Sequence, residues 1–150
     1  MTATTTPKKA TDPANIFTRE VTVPKLNPKT GAVVLDPAGT PEVGKHLGRF
    51  SFKIPTIRTR MAISARRVVF LGGYAPETVD AETLFLAECL ATVPHVVVDA
   101  PHGWPKTQEE WEKWMDQSLM TEDRSLYAIY SAYQDGVRLF RGQHTDESPP

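Results

Sequence analysis

His95, Asp99 and His102 are the residues whose types most readily suggest chemistry, since imidazole and carboxylate groups can hold a divalent metal. Their spacing speaks against it. HVVVDAPHGWP joins a β-branched run to a Pro/Gly-rich loop, so the segment reads as strand and loop. In a strand, His95 and Asp99 share a face but stand about 13 Å apart at roughly 3.3 Å per residue, too far for one ion unless the chain turns back. A nucleophilic set of Cys89, His95 and Asp99 is the other arrangement on paper. It needs an exposed, electropositive thiol, whereas Cys89 sits in TLFLAECLATV among apolar and acidic neighbours. A buried, inert thiol is the simpler reading. No CxxC, HExxH, GxSxG or glycine-rich phosphate loop occurs; LGGY at 71–74 follows a helical pattern and precedes none directly. No catalytic residue, metal or cofactor is assigned, and a non-enzymatic protein is expected.

Charge is the stronger signal. Val43 to Pro76 holds seven basic residues and no acid, while Glu77 to the end holds fourteen acids against five bases. The net charge of −1 therefore hides a basic middle and an acidic C-terminal half. Opposed charges of this kind set partner choice and encounter rate rather than fold. Arg58, Arg60, Arg66 and Arg67 fall on one expected helix. They can face phosphates, face solvent, or pair with the acidic half, in this copy or a neighbour. The near-neutral total and the lack of a helix-turn-helix spacing argue against nucleic acid. A basic face for self-association, giving a homo-oligomer, is the expectation carried forward.

Trp104, Trp111, Trp114, Tyr127, Tyr130 and Tyr133 crowd into thirty residues. Core packing accounts for some of them. Tyr127, Tyr130 and Tyr133 cannot all face the same way as Leu126, however, and Tyr and Trp suit protein interfaces because they offer large area with a polar tip. A partner groove lined by these six is expected.

The elements that must position these groups are mostly helical. Residues 1–15 carry hardly an apolar side chain to offset ordering entropy, and 142–150 are alike; both are expected to be disordered tails. Residues 16–48 read as an extended β flap. FTREVTV alternates up to Pro24, NPKTG is a turn, and AVVL returns, so Phe17–Val23 and Ala32–Leu35 are expected to form a hairpin. Residues 49–141 read as a helical domain. Phe50, Phe52 and Ile54 alternate as a strand. Thr56 then caps a helix whose Ile57, Met61, Ser64/Ala65, Val68 and Leu71 form an inner stripe, with β-rich RVVFL leaving strand as the rival reading.

Asp80 caps a second helix, Ala81 to about Thr92, closed by Pro94. Val96–Val98 is a short strand or a buried connection. Thr107 and Glu110 match a capping box for a third helix bearing Trp111, Trp114, Met115 and Leu119 on one face. The fourth runs from about Glu122 to Phe140. The fold class expected is mainly α (α+β): about four helices, an N-terminal β flap, and a strand ahead of the first helix. No 18-residue apolar run and no secretory h-region occur, so no membrane span and a soluble, intracellular protein are expected.

GRFSFKIPTIRTRMAISARR, LGG, ETLFLAECLATV, PHGWP and SLYAIYSAYQDGVRLF, taken in that order, resemble the tail assembly chaperones of tailed bacteriophages. The likeness is one of residue types along the chain and covers about Arg49 to Phe140. It implies a protein of the host cytoplasm that binds and solubilises the tape measure protein and gives way as the tail tube protein polymerises. It supplies no catalytic residues. The alternative is a small structural virion protein, such as a head–tail joining, tail completion or baseplate component. A third reading is a nucleic-acid-binding regulator acting through the Arg58–Arg67 helix.

Overall fold

The computed structural model describes residues 15–147, with side chains described through Gly142. The tail expected over 1–15 lies outside the described residues except for Asn15, as do 148–150. Three antiparallel strands, β1 (Ile16–Pro24), β2 (Val43–Lys53) and β3 (Val97–Asp99), form a sheet in that order. The expected alternation holds: Val21 and Val23 of β1 and Phe50 and Phe52 of β2 are buried. The hairpin partner differs. β1 pairs with β2, Ile16 opposite Lys53 and Val21 opposite Gly48, not with Ala32–Leu35.

The reason lies in the connecting segment. Asn27 Oδ1 accepts the Lys29 amide, and Asp36 Oδ1 accepts those of Ala38 and Thr40, folding residues 25–42 into two tight turns. Only the isolated bridges Leu26–Val33 and Leu35–Pro41 remain there. β2 also runs across the 48/49 boundary expected between flap and helical domain. Two glycines of β2 sit at close approaches. A Cβ on Gly44 would meet the Lys25 backbone, and Gly48, at φ +116°, faces the Pro101 ring beside a register shift that skips Leu47 of β2.

Four helices follow the expected order: α1 (Ile57–Phe70), α2 (Ala81–Val96), α3 (Gln108–Gln117) and α4 (Asp123–Glu147). Thr56, Asp80 and Thr107 cap the first three, their side chains accepting the amides of Thr59, Thr83 and Glu110. The capping box is displaced by one residue, because Glu110 Oε1 accepts the Lys106 amide at 2.7 Å rather than that of Thr107. Pro94 lies inside α2 instead of closing it. Two bonds support that last turn: Gln108 Nε2 donates to the Pro94 carbonyl, and His95 Nδ1 lies 2.8 Å from the Ala91 oxygen. β3 follows α2 directly, so strands do not all precede the first helix. α4 continues past Phe140 to Glu147. The architecture is α+β, with α4 laid against the sheet.

Phe17, Phe52 and Tyr133 stack where α4 meets β1 and β2, ring centroids 5.4–6.4 Å apart. Gly136 makes this possible, since a Cβ there would fall within the Phe17 ring. Helix propensity alone gives Gly136→Ala about 1 kcal/mol of stabilisation. Displacing the Phe17 ring costs about 1–3 kcal/mol. We expect the clash to win, with a Tm fall of several degrees in a thermal melt; a rise would show that Phe17 moves aside freely.

Candidate functional site

α2, α3 and the start of α4 leave an apolar groove of about 390 Å³ between them. Leu86 and Leu90 of α2, Trp114 and Met115 of α3, and Leu126 and Tyr127 of α4 line it. Leu119 and Met120, in the short connection from α3 to α4, stand at its mouth with relative exposures of 76% and 86%. Its lining includes four carboxylates, Asp80, Glu82, Glu122 and Asp123, and no cation. Asp80 is fixed as the α2 cap, and its bonds from Thr83 hold its carboxyl below the usual range. Asp123 occupies the first turn of α4, where a negative charge is favoured by the helix dipole. An apolar trough with an anionic rim suits the apolar stripe of a helix whose flanks are basic.

The six expected partner-contact aromatics divide. Trp111, Tyr130 and Tyr133 are buried, Trp111 wholly within the core and the two tyrosines in the wall of a second cleft, between α1 and α4. Trp104, Trp114 and Tyr127 are half-buried. Trp104, Trp111 and Trp114 pack on one another, centroids 5.5–6.4 Å apart, and Trp104 meets Phe50 edge-on at 5.7 Å. Only Trp114 and Tyr127 of the six line the groove. The sequence reading missed Met120 and set Leu119 on an inner face of a helix that in fact ends at Gln117. The available signal was LMTED itself: two large apolar residues side by side, directly before an acidic helix start.

α1 is turned over relative to expectation. Ile63 is its buried residue, with Thr59, Arg66, Arg67 and Phe70 half-buried on the same side. Most of the stripe expected inside instead meets solvent: Ile57 is 83% exposed, Met61 69% and Val68 57%, while Leu71 at its end is buried as expected. Arg66 reaches Glu112 of α3 at 2.7 Å and lies over the Phe70 ring, and Arg67 reaches Glu88 of α2 at 2.8 Å. Half of the expected self-association face is therefore neutralised within the chain. Arg58 and Arg60 stay exposed. Partly exposed ion pairs contribute about 0–1 kcal/mol each. Burying an Ile, Met or Val contributes about 1.5–3 kcal/mol. The ion pairs do not offset that lost burial, so α1 is left with an apolar face that has no partner among the described residues.

A second cleft, of about 600 Å³, lies between α1 and α4 and is polar, with Arg60, Arg67, Arg138, Arg141 and Glu88 in its walls. Glu88 is its hub, accepting also from Thr92 Oγ1 at 3.1 Å and from the Tyr130 hydroxyl at 3.4 Å. Burial pushes the Tyr133 hydroxyl above its ordinary range, and Arg60 and Arg141 pull it back in part.

The candidate reactive groups each have their own surroundings. Cys89 is wholly buried, and burial with the nearby Glu88 carboxylate pushes its thiol up to about 12. Asp99 accepts the Ala100 amide and lies 3.8 Å from Lys106 Nζ, while His102 is exposed. Among the described residues no group of three or more His, Cys, Asp and Glu side chains is placed to hold a metal ion. The raised thiol sets a pH dependence. Unfolded Cys89 ionises near 9.0, while folded Cys89 keeps its proton up to about 12, and Tyr130 is shifted upward from 10.0 in the same sense. The unfolded chain thus binds fewer protons above pH 9, so stability falls as pH rises from about 9 towards 12. Urea midpoints measured across that range check this, and Cys89→Ala is expected to flatten the lower part of the slope.

Comparison with protein-family models, with curated proteins and with solved structures finds no match to this chain. Among the described residues no helix is long and apolar enough to cross a membrane.

Proposed function

We propose that this chain is a non-enzymatic tail assembly chaperone of a tailed bacteriophage. It binds exposed helix faces of the tape measure protein in the host cytoplasm, keeps that protein soluble, and gives way as tail tube subunits polymerise. The observation that supports this is the open groove between α2, α3 and α4, with Trp114 and Tyr127 in its walls and Leu119 and Met120 bare at its mouth. A long helical protein with extended apolar faces aggregates unless those faces are covered. A groove of this shape covers one such face by taking the i, i+3, i+4 and i+7 side chains of a helix.

Co-expression with the phage's tape measure protein is the test. A several-fold larger soluble fraction is expected with this chain present, and an unchanged fraction overturns the proposal. Mass spectrometry of purified virions is a second test. Stoichiometric peptides from this chain would make it a structural virion component instead.

A further inference from the structure

We propose that the groove of one copy receives α1 of the next, so that the free protein associates head to tail. This rests on the reading of the groove as a helix-docking site, and it names a second copy as the occupant before cargo arrives.

Among the described residues the groove and the outer face of α1 are both left uncovered, and they match in chemistry. α1 presents Ile57, Met61 and Val68 along about 16 Å, at 1.5 Å per residue. Arg58 and Arg60 are exposed on the same helix, and no acid occurs between Val43 and Pro76. The groove offers an apolar floor and the carboxylates of Asp80, Glu82, Glu122 and Asp123. No residue of α1 lines the chain's own groove, so the match is made between copies.

Charge decides which pairing forms. Two α1 helices placed together set Arg58 and Arg60 against their own counterparts. Two grooves placed together bring two sets of four carboxylates face to face. Only the unlike pairing buries both apolar surfaces while opposing charges of opposite sign. Such a contact is heterologous: each copy uses one surface to give and another to receive, and every chain of copies ends with one free groove. Cargo helices enter at those ends and compete with α1 for the rest, so self-association weakens as cargo is added. Raised salt weakens it as well, since the charges on both sides are exposed.

Two double variants test this in the full chain by analytical ultracentrifugation: Ile57→Glu with Met61→Glu, which spoils the donor helix, and Leu119→Lys with Met120→Lys, which spoils the groove. All four positions are exposed, so both variants are expected to keep wild-type circular dichroism. Wild type is expected to show an average mass that rises with concentration, and each variant alone to stay monomeric. Their equimolar mixture is expected to form a species of twice the monomer mass and nothing larger, because one intact donor meets one intact groove. A wild type that is monomeric at all concentrations up to about ten times those used for co-expression extracts overturns the inference. So does a mixture that stays monomeric, or a variant that still associates as wild type does, which marks a symmetric contact. Solubilisation of the tape measure protein separates this inference from the functional reading. The α1 variant keeps its groove and still solubilises cargo if the functional reading holds, whether or not copies associate. A mixture that dimerises while wild type leaves cargo insoluble removes only the functional reading.

Discussion

Trp111→Ala is expected to destabilise the fold by about 3–5 kcal/mol, the range for truncating a buried tryptophan. Trp111 is 1% exposed and is the largest fully buried side chain of the core. It supports both other tryptophans, lying 6.4 Å from Trp104 and 5.5 Å from Trp114 by ring centroid, so its loss also loosens the groove wall. Domains of this kind have about 5–15 kcal/mol of total stability, so the variant loses about a fifth or more of it. Its indole Nε1 makes no hydrogen bond among the described residues, although the atom is buried. An unpartnered buried donor costs about 1–3 kcal/mol. Trp111→Phe removes that cost along with some packing area and is expected to lie within about 1 kcal/mol of wild type. Urea unfolding followed by circular dichroism measures both. A small loss in the alanine variant, under about 1 kcal/mol, would mean that Trp111 is not a core support.

Leu119→Lys with Met120→Lys is expected to do the reverse: leave stability alone and abolish docking. Both side chains stand in water in the free chain, where substitutions usually change stability by no more than about 0.5 kcal/mol. On docking they lose that water, at about 1.5–3 kcal/mol each. Replacing both also sets two cations where the proposed partner helix would bring its basic flanks. The affinity loss from burial alone is about 10²–10⁴-fold. Fluorescence titration with a helical segment of the tape measure protein reads it directly. Affinity within about threefold of wild type would place the contact elsewhere.

How much of this was legible in the sequence depended on whether the signal was local. Thr56, Asp80 and Thr107 announce their helices because a cap bonds to an amide three residues away, a distance visible in the sequence. The β1 partner was not legible, since strand pairing is long-range and Gly44 looks like a breaker until the Lys25 backbone is seen beside it. Gly136 reads as a weak point in a helix until Phe17 is found against it. The facing of α1 was misread for a related reason. Periodicity identifies an apolar stripe but not what covers it, and Glu88 and Glu112 draw Arg67 and Arg66 inward from other helices. The aromatic cluster was recognised as significant, yet burial of Trp111, Tyr130 and Tyr133 leaves only Trp114 and Tyr127 at the groove.

Amide hydrogen exchange on the chain with and without a tape measure helix tests groove docking most directly. Slower exchange is expected in the connection from Ser118 to Asp123 and in the flanking turns of α3 and α4, with the β1–β2 strands unchanged. Protection confined to the sheet or to the α1–α4 cleft, with Leu119 and Met120 exchanging as in the free protein, would contradict it.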